Sequence, residues 1–331
     1  MKCNYCEWRC DLTGGQVGIC RMYHEVDGEI RERYPNRYTT YMAVHIESLP
    51  FFHAYPGSRT LLIGSSGCNF NCHYCSNAHV AKGLPEEQFM FEISPDRIIQ
   101  IAQKTGCHNI VFGVNEVTVS LPTMIEVAKS AEAQNIPLGC LTNGYMTEES
   151  CNILADIFQF VNISLKSLSA DFYDKYAGIK NVQPILRNIK RLAVDCHIEI
   201  TTPIVQTIND HEIPDIYEFI HSINPQIPWH VFRLLPEYKM VDADYPNIND
   251  LNESLLAARS HLPYVYFGNF MGSEWVNTSC SKCGDIVIER ISAGSCGGKF
   301  SNNFLNNNQC PKCGTKLPLY GEYTPWDLKD E

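Results

Sequence analysis

The sequence predicts an α/β chain built on a parallel sheet with crossover helices, either open or closed toward a barrel. Short apolar runs recur between residues 59 and 268, and the stretches between them carry apolar residues at helical spacing. Strands alternating with helices in this way pair in parallel and are buried on both faces. Eleven of the 16 cysteines in the 331 residues gather near the two ends and in one loop between them, which marks off the flanks. The expected organisation is a Cys-rich extension at 1–50, an α/β unit at 51–268 and a four-cysteine metal-binding unit at 269–331.

The elements follow in order. Strand candidates are TLLIG (60–64), NIVFG (109–113), PLGCL (137–141), FVNISL (160–165), HIEITTPIV (197–205), WHVFRL (229–234) and YVYFG (264–268). The first helix candidate is SPDRIIQIAQKTG, with Ser94 as N-cap, Pro95 at the first position and Gly106 as the stop. LPTMIEVAKSAEAQ, TEESCNILADIF, VQPILRNIKRLAV, IPDIYEFIHSI and INDLNESLLAARSHL supply the others. In such a fold active sites gather at the carboxyl ends of the strands, where the 64–77 loop falls.

A net charge of -11 and a pI near 5.5, with no basic stripe, argue against a nucleic-acid partner. The charged N-terminus MKCNYCEWRC is unlike a signal peptide, and no apolar run approaches the ~20 residues of a membrane span. The chain reads as cytoplasmic, with no membrane partner. In a reducing compartment clustered cysteines mean metal ligation rather than disulfides. The isolated Cys107, Cys140, Cys151 and Cys196 read as small buried hydrophobes.

The loop GSSGCNFNCHYCSN places Cys68, Cys72 and Cys75 at C-x3-C-x2-C spacing. Three thiolates can hold three irons of a [4Fe-4S] cube and leave the fourth open to an exogenous chelator. A zinc site that borrows a distant fourth ligand is the competing reading. At the C-terminus, CSKCGD and CPKCGT form two C-x2-C-Gly knuckles, so Cys280, Cys283, Cys310 and Cys313 are expected to make a tetrahedral site for zinc, or a single iron. Cys296 is a further candidate for that site, and the segment between the knuckles is expected to form a hairpin with a long loop. At the front, Cys3, Cys6, Cys10 and Cys20 form a less standard set. They are candidates for a second metal or cluster, with Gly14, Gly15 and Gly18 letting the loop fold back.

The central loop, with Tyr74 just before its last cysteine, resembles the signature of the radical S-adenosylmethionine (SAM) superfamily. HAYPGSRTLLIGSSGCNFNCHYCSN, LTNGYMTEE, SLKSLSADFYDKYAG and PWHVFRLLPEYKM look like the radical SAM enzyme of the AmmeMemoRadiSam system, a group similar to pyruvate formate-lyase activating enzymes. The resemblance implies a partial (β/α)6 barrel with a zinc-ribbon or rubredoxin-like C-terminal domain. It also implies a [4Fe-4S] cluster whose open iron chelates SAM, and reductive cleavage to a 5'-deoxyadenosyl radical. A one-electron donor of flavodoxin or ferredoxin type and a protein or small-molecule substrate would be the partners.

Residue by residue, Cys68, Cys72, Cys75 and Lys166 are the catalytic candidates, with Lys166 expected to pair with the SAM carboxylate. Tyr74, Asn77, Asn115, Glu116, Asn143, Ser164 and His230 are the remaining cofactor-binding candidates. This chain reads GVNEV where relatives end in Tyr-Asn-Glu-Pro, and SLK where they read Asp-Leu-Lys, so Ser164 replaces an acid and Val117 a proline. The expected chemistry is hydrogen abstraction, as in the glycyl-radical activating enzymes or on another substrate. Cobalamin-dependent C-methylation is the alternative, although no Asp-x-His-x-x-Gly segment is present. A metal-binding module without SAM chemistry is the reading from a different class.

Overall fold

The computed structural model describes residues 1–294 and 297–325, so Cys296 lies outside the described residues. Its centre is one eight-stranded sheet. Strands β1 (Thr40–His45), β2 (Arg59–Gly64), β3 (Asn109–Phe112), β4 (Leu138–Thr142), β5 (Phe160–Ser164), β6 (His197–Ile204), β7 (Trp229–Arg233) and β8 (Val265–Gly268) lie side by side in chain order. From β2 to β8 every pairing is parallel, whereas β1 runs antiparallel to β2. The two edge strands do not pair, so the sheet is open.

Six crossovers link the seven parallel strands. Their helices are α1 (Pro95–Lys104), α2 (Leu121–Glu132), α3 (Glu148–Ile157), α4 (Ala170–Tyr176), α5 (Gln183–Asp195), α6 (Ile213–Ile223) and α7 (Ile248–Arg259). Ser94 caps α1 by accepting the Arg97 N–H, and Thr147 and Ser169 cap α3 and α4 in the same way. One sheet face packs on these helices through Ile63, Ile110, Phe112, Val161, Ile163, Ile198 and Ile200. Cys107, Cys140, Cys151 and Cys196 are buried in that layer. No helix among the described residues is long and apolar enough to cross a membrane.

The inner face of the sheet is plugged from the amino ends of the strands by the segment leading into β2. Phe51 and Phe52 are buried there, and Phe51 meets Phe160 edge to face. The plug is fixed by Glu199 of β6, whose buried carboxylate accepts the backbone N–H groups of Phe52, His53 and Ala54 and contacts the rings of His197 and His230. Burial alone would raise the Glu199 carboxyl, but the bonds to His197 and His230 outweigh it and hold it well below the usual carboxylate range.

The C-terminal chain packs on the same end. Arg290 donates to the carbonyls of Phe52 and Val276 and to Thr278, and lies over the Phe52 ring. The ring nitrogens of His53 contact Pro318 O and Tyr266 Oη. Ile286–Ile291 and Lys299–Asn303 form the expected hairpin between the two cysteine knuckles, with Thr278–Ser279 as a third strand.

Candidate active site and metal centres

The three-cysteine loop leaves the carboxyl end of β2, and side chains that follow the next two strands hold it. Asn115, after β3, accepts the Ser65 N–H at 3.1 Å and donates to Ser65 Oγ, Ser66 O and Gly67 O. Asn143, after β4, donates to Asn69 Oδ1 at 2.7 Å and comes within 3.8 Å of Cys68 Sγ. Asn77 donates to Val114 O at 2.9 Å, tying the far end of the loop to the β3 end. Asn69, Cys72 and Tyr74 are buried, while Cys68 and Cys75 are half-buried.

Glu116 supports this arrangement from below. Its buried carboxylate accepts Thr118 N–H and Oγ1–H, Thr142 Oγ1–H and the Asn143 N–H at 2.7 Å. Burial raises its carboxyl, with the bonds from Asn143, Thr142 and Thr118 opposing. The expected cofactor contacts at Asn115, Glu116, Asn143 and Asn77 are therefore, in the first place, loop-positioning contacts. Lys82, which the sequence did not single out, donates to Phe70 O inside the loop. Burial pushes the Cys68 thiol up to about 12, opposed by Lys82. Burial also raises the Cys75 thiol, opposed by Lys82 and Lys166. A bound cation reverses that balance by favouring the thiolates.

Lys166 follows the carboxyl end of β5. Its backbone N–H donates to Tyr173 Oη, and its Nζ lies 5.8 Å from the centre of the Tyr74 ring. Among the described residues it makes no ion pair. The buried Tyr74 Oη and Ser66 Oγ likewise have no hydrogen-bond partner there. A free ammonium and two orphaned hydroxyls on a loop of three thiols fit a polar, anionic ligand held against an iron–sulfur centre. Ser164, half-buried, ends β5 two residues before Lys166.

His230 requires a correction. Rather than opening toward this loop, it is buried with Nε2 2.6 Å from Glu199 Oε2, its ring against Phe52 and Tyr266. A carboxylate buried on the inner sheet face needs donors, and His230 supplies one. Arg233, three residues on, lies over Tyr245 and Phe270.

The other two cysteine sets differ in geometry. At the C-terminus, Sγ of Cys280 and Cys313 are 3.5 Å apart and those of Cys283 and Cys310 are 3.6 Å apart. The knuckles repeat one another: Cys280 N bonds Asp285 O and Cys310 N bonds Thr315 O, with Gly284 and Gly314 at φ 76° and 73° closing each turn. Four thiolates on one tetrahedral zinc, with bonds of ~2.3 Å, sit about 3.8 Å apart, so the group can hold a single ion. The Thr315 hydroxyl and N–H lower the Cys313 thiol to about 6. Among the described residues this is the one set of three or more metal-ligating side chains whose ligand atoms all lie within 4.8 Å of one another. Cys3, Cys6, Cys10 and Cys20 instead line one cavity beside the three-cysteine loop without gathering to single-ion distances.

Residues 62–220 match the model of the Radical SAM superfamily. Over 325 residues the chain is 29% identical to the uncharacterized protein MJ0808 of Methanocaldococcus jannaschii, covering 96% of this chain and 95% of that one. It is 27% identical over 154 residues to a probable GTP 3',8-cyclase of Thermococcus kodakarensis, covering 46% of this chain and 49% of the cyclase. The fold is similar to that of Streptococcus suis SuiB bound to its precursor peptide SuiA, at TM-score 0.50 and 16% identity over 62% of this chain and 47% of SuiB. The chain thus spans about half the length of the cyclase and of SuiB. The family match takes in the strands from β2 to β6, the three-cysteine loop and Lys166, and over those residues the chain is similar to the radical SAM superfamily.

Proposed function

We propose that this chain is a radical SAM enzyme that abstracts hydrogen from a protein or small-molecule substrate. The observation that carries the reading is the loop itself: three thiols at the carboxyl end of the first parallel strand, locked by Asn115 and by the Asn143–Asn69 bond, with Lys166 unpaired beside Tyr74. When bound, a [4Fe-4S] cluster with one open iron supplies reductive cleavage of chelated SAM to a 5'-deoxyadenosyl radical.

The chain's own residues do the rest. Cys68, Cys72 and Cys75 provide three thiolates and withhold a fourth. Lys166 offers its charge to the SAM carboxylate in a partly buried setting, where an ion pair counts for more than in water. Tyr74 Oη and Ser66 Oγ offer hydrogen bonds that no protein group takes up among the described residues. Ser164 brings no charge where relatives place an acid, so the cofactor's amino group must find its partner elsewhere. Residues 51–268 form the catalytic unit in this reading, flanked by the extension at 1–50 and the metal-binding unit at 269–331.

Zinc is the ion we assign to Cys280, Cys283, Cys310 and Cys313, with a structural role, because that group packs at the amino ends of the strands, away from the three-cysteine loop. An external flavodoxin- or ferredoxin-like donor supplies the electron. The cyclase match covers 46% of this chain and 49% of the cyclase, so its substrate does not transfer to this chain.

The test is product analysis after anaerobic reconstitution, with dithionite and SAM. 5'-Deoxyadenosine and methionine should form, Lys166→Ala should suppress both, and no S-adenosylhomocysteine should appear. Absence of 5'-deoxyadenosine from protein with a verified reduced cluster and bound SAM would overturn the reading.

A further inference from the structure

We propose that Cys3, Cys6, Cys10 and Cys20 hold a second iron–sulfur cluster, ligated entirely by protein thiolates, next to the three-cysteine loop. The proposal rests on where the fold puts these four side chains and does not depend on which reaction the first cluster serves.

All four cysteines border a single cavity, although Cys3 and Cys20 are far apart in the chain. The backbone is folded to bring them there. Cys3 N–H donates to Cys10 O at 2.8 Å, and Arg21 N–H donates to Gly18 O at 2.9 Å, turning the chain back at Cys20. Cys10 Sγ lies so close to Gly18 that an added Cβ there would meet it at 3.4 Å. The walls are dry: Tyr5 and Tyr23 stack at 4.3 Å between ring centres, and Leu12, Met22 and Val119 are buried around them. Every described cysteine is a free thiol, so no disulfide accounts for the convergence.

The spacing selects the kind of centre. A single zinc draws thiolates to about 3.8 Å from one another, as in the C-terminal set. No three of the four N-terminal ligand sulfurs lie mutually within 4.8 Å, and neither do Cys68, Cys72 and Cys75. A [4Fe-4S] cube puts each thiolate on a different iron and holds the sulfurs further apart, and that is the cluster the spacing selects. The N-terminal set therefore shares the pattern of the three-cysteine loop rather than that of the zinc-like group. With four thiolates to offer, it leaves no iron open, so it suits electron transfer or structural support rather than SAM chelation.

The cavity is anchored to the first site. Trp8 Nε1 donates to Asn69 O at 2.8 Å, and Asn69 is both the neighbour of Cys68 and the acceptor of Asn143. A Cβ on Gly67 would fall 2.5 Å from Cys20 O, and φ +76° at Gly67 independently requires glycine, so the two cysteine loops are in backbone contact. Cys20 and Cys68 border a shared cleft, together with the basic side chains of Arg21, Lys82 and Lys239.

The experiment is anaerobic reconstitution with iron and sulfide, followed by iron and acid-labile sulfide counts, Mössbauer spectra and EPR of the reduced protein. Wild type should take up about eight irons. The triple variant Cys68→Ala, Cys72→Ala, Cys75→Ala should keep about four, with an EPR signal that SAM does not change. The complementary variant Cys3→Ser, Cys6→Ser, Cys20→Ser should also lose half the iron while its remaining signal responds to SAM. Wild type that saturates at about four irons would overturn the proposal, as would a folded central-triad variant that holds no iron or holds one zinc at the N-terminal set. Circular dichroism and melting curves establish folding, and if the central-triad variant does not fold, the wild-type count and the complementary variant decide the matter.

Discussion

Glu116 Oε2 accepts the backbone N–H of Asn143 at 2.7 Å, and Asn143 in turn holds Asn69 beside Cys68. The three-cysteine loop is thus braced through the β4 end by a carboxylate whose hydrogen bonds go to Thr118, Thr142 and Asn143. Glu116→Gln keeps the volume but turns one acceptor into a donor facing an N–H. It should cost about 2 kcal/mol of stability and lower iron retention at the loop on dilution. A variant that melts and retains iron like wild type would show that the brace is dispensable.

Cys72→Ala should abolish the cluster at the loop and leave the central sheet folded, because Cys72 is one buried side chain on a loop rather than in the sheet. Iron analysis and far-ultraviolet circular dichroism check the two halves of this statement separately. Full retention of a SAM-responsive cluster signal would sink the assignment.

Cys310→Ala removes one of four gathered thiolates at a site whose binding free energy is folding free energy. Zinc content should fall and Tm should drop by about 5 °C or more. If the variant lost the metal yet melted like the parent, the site would need a role other than a structural one.

The pH dependence of stability has a defined sign at Glu199. Its folded pKa is held below the unfolded glutamate value of about 4.3, so the carboxylate stabilises the fold above that pH and the contribution is lost as pH falls through the folded value. Glu199→Gln should therefore melt well below wild type at pH 6, and the gap should narrow as pH falls below about 4. Melting curves across that range are the check, and a gap that widened toward acid would contradict the network.

Much of this was legible in the sequence. β2 to β8 follow the apolar runs because parallel strands buried on both faces must be continuously apolar. β1 escaped because TYMAVH is an edge strand with Tyr41 and Met42 exposed, so burial leaves little pattern in it. α4 escaped because two turns capped by Ser169 are too short for a helical period to emerge. The three-cysteine loop and Lys166 announce themselves by residue type and spacing. Asn69, Lys82 and Glu199 do not, since a polar residue that braces a loop looks like any other until the strand ends are brought together. The packing of His230 is hidden for the same reason: its partner Glu199 lies on the neighbouring strand, a pairing visible only once β6 and β7 are in register.

The account's central claim is that one iron of the cluster on Cys68, Cys72 and Cys75 is open to SAM. The most direct measurement is the EPR spectrum of the reduced, reconstituted protein with and without SAM. The account expects the signal to shift in g values when SAM is added, and the shift to be lost in Cys72→Ala. An unchanged spectrum from protein that carries the cluster and has been saturated with SAM would contradict it.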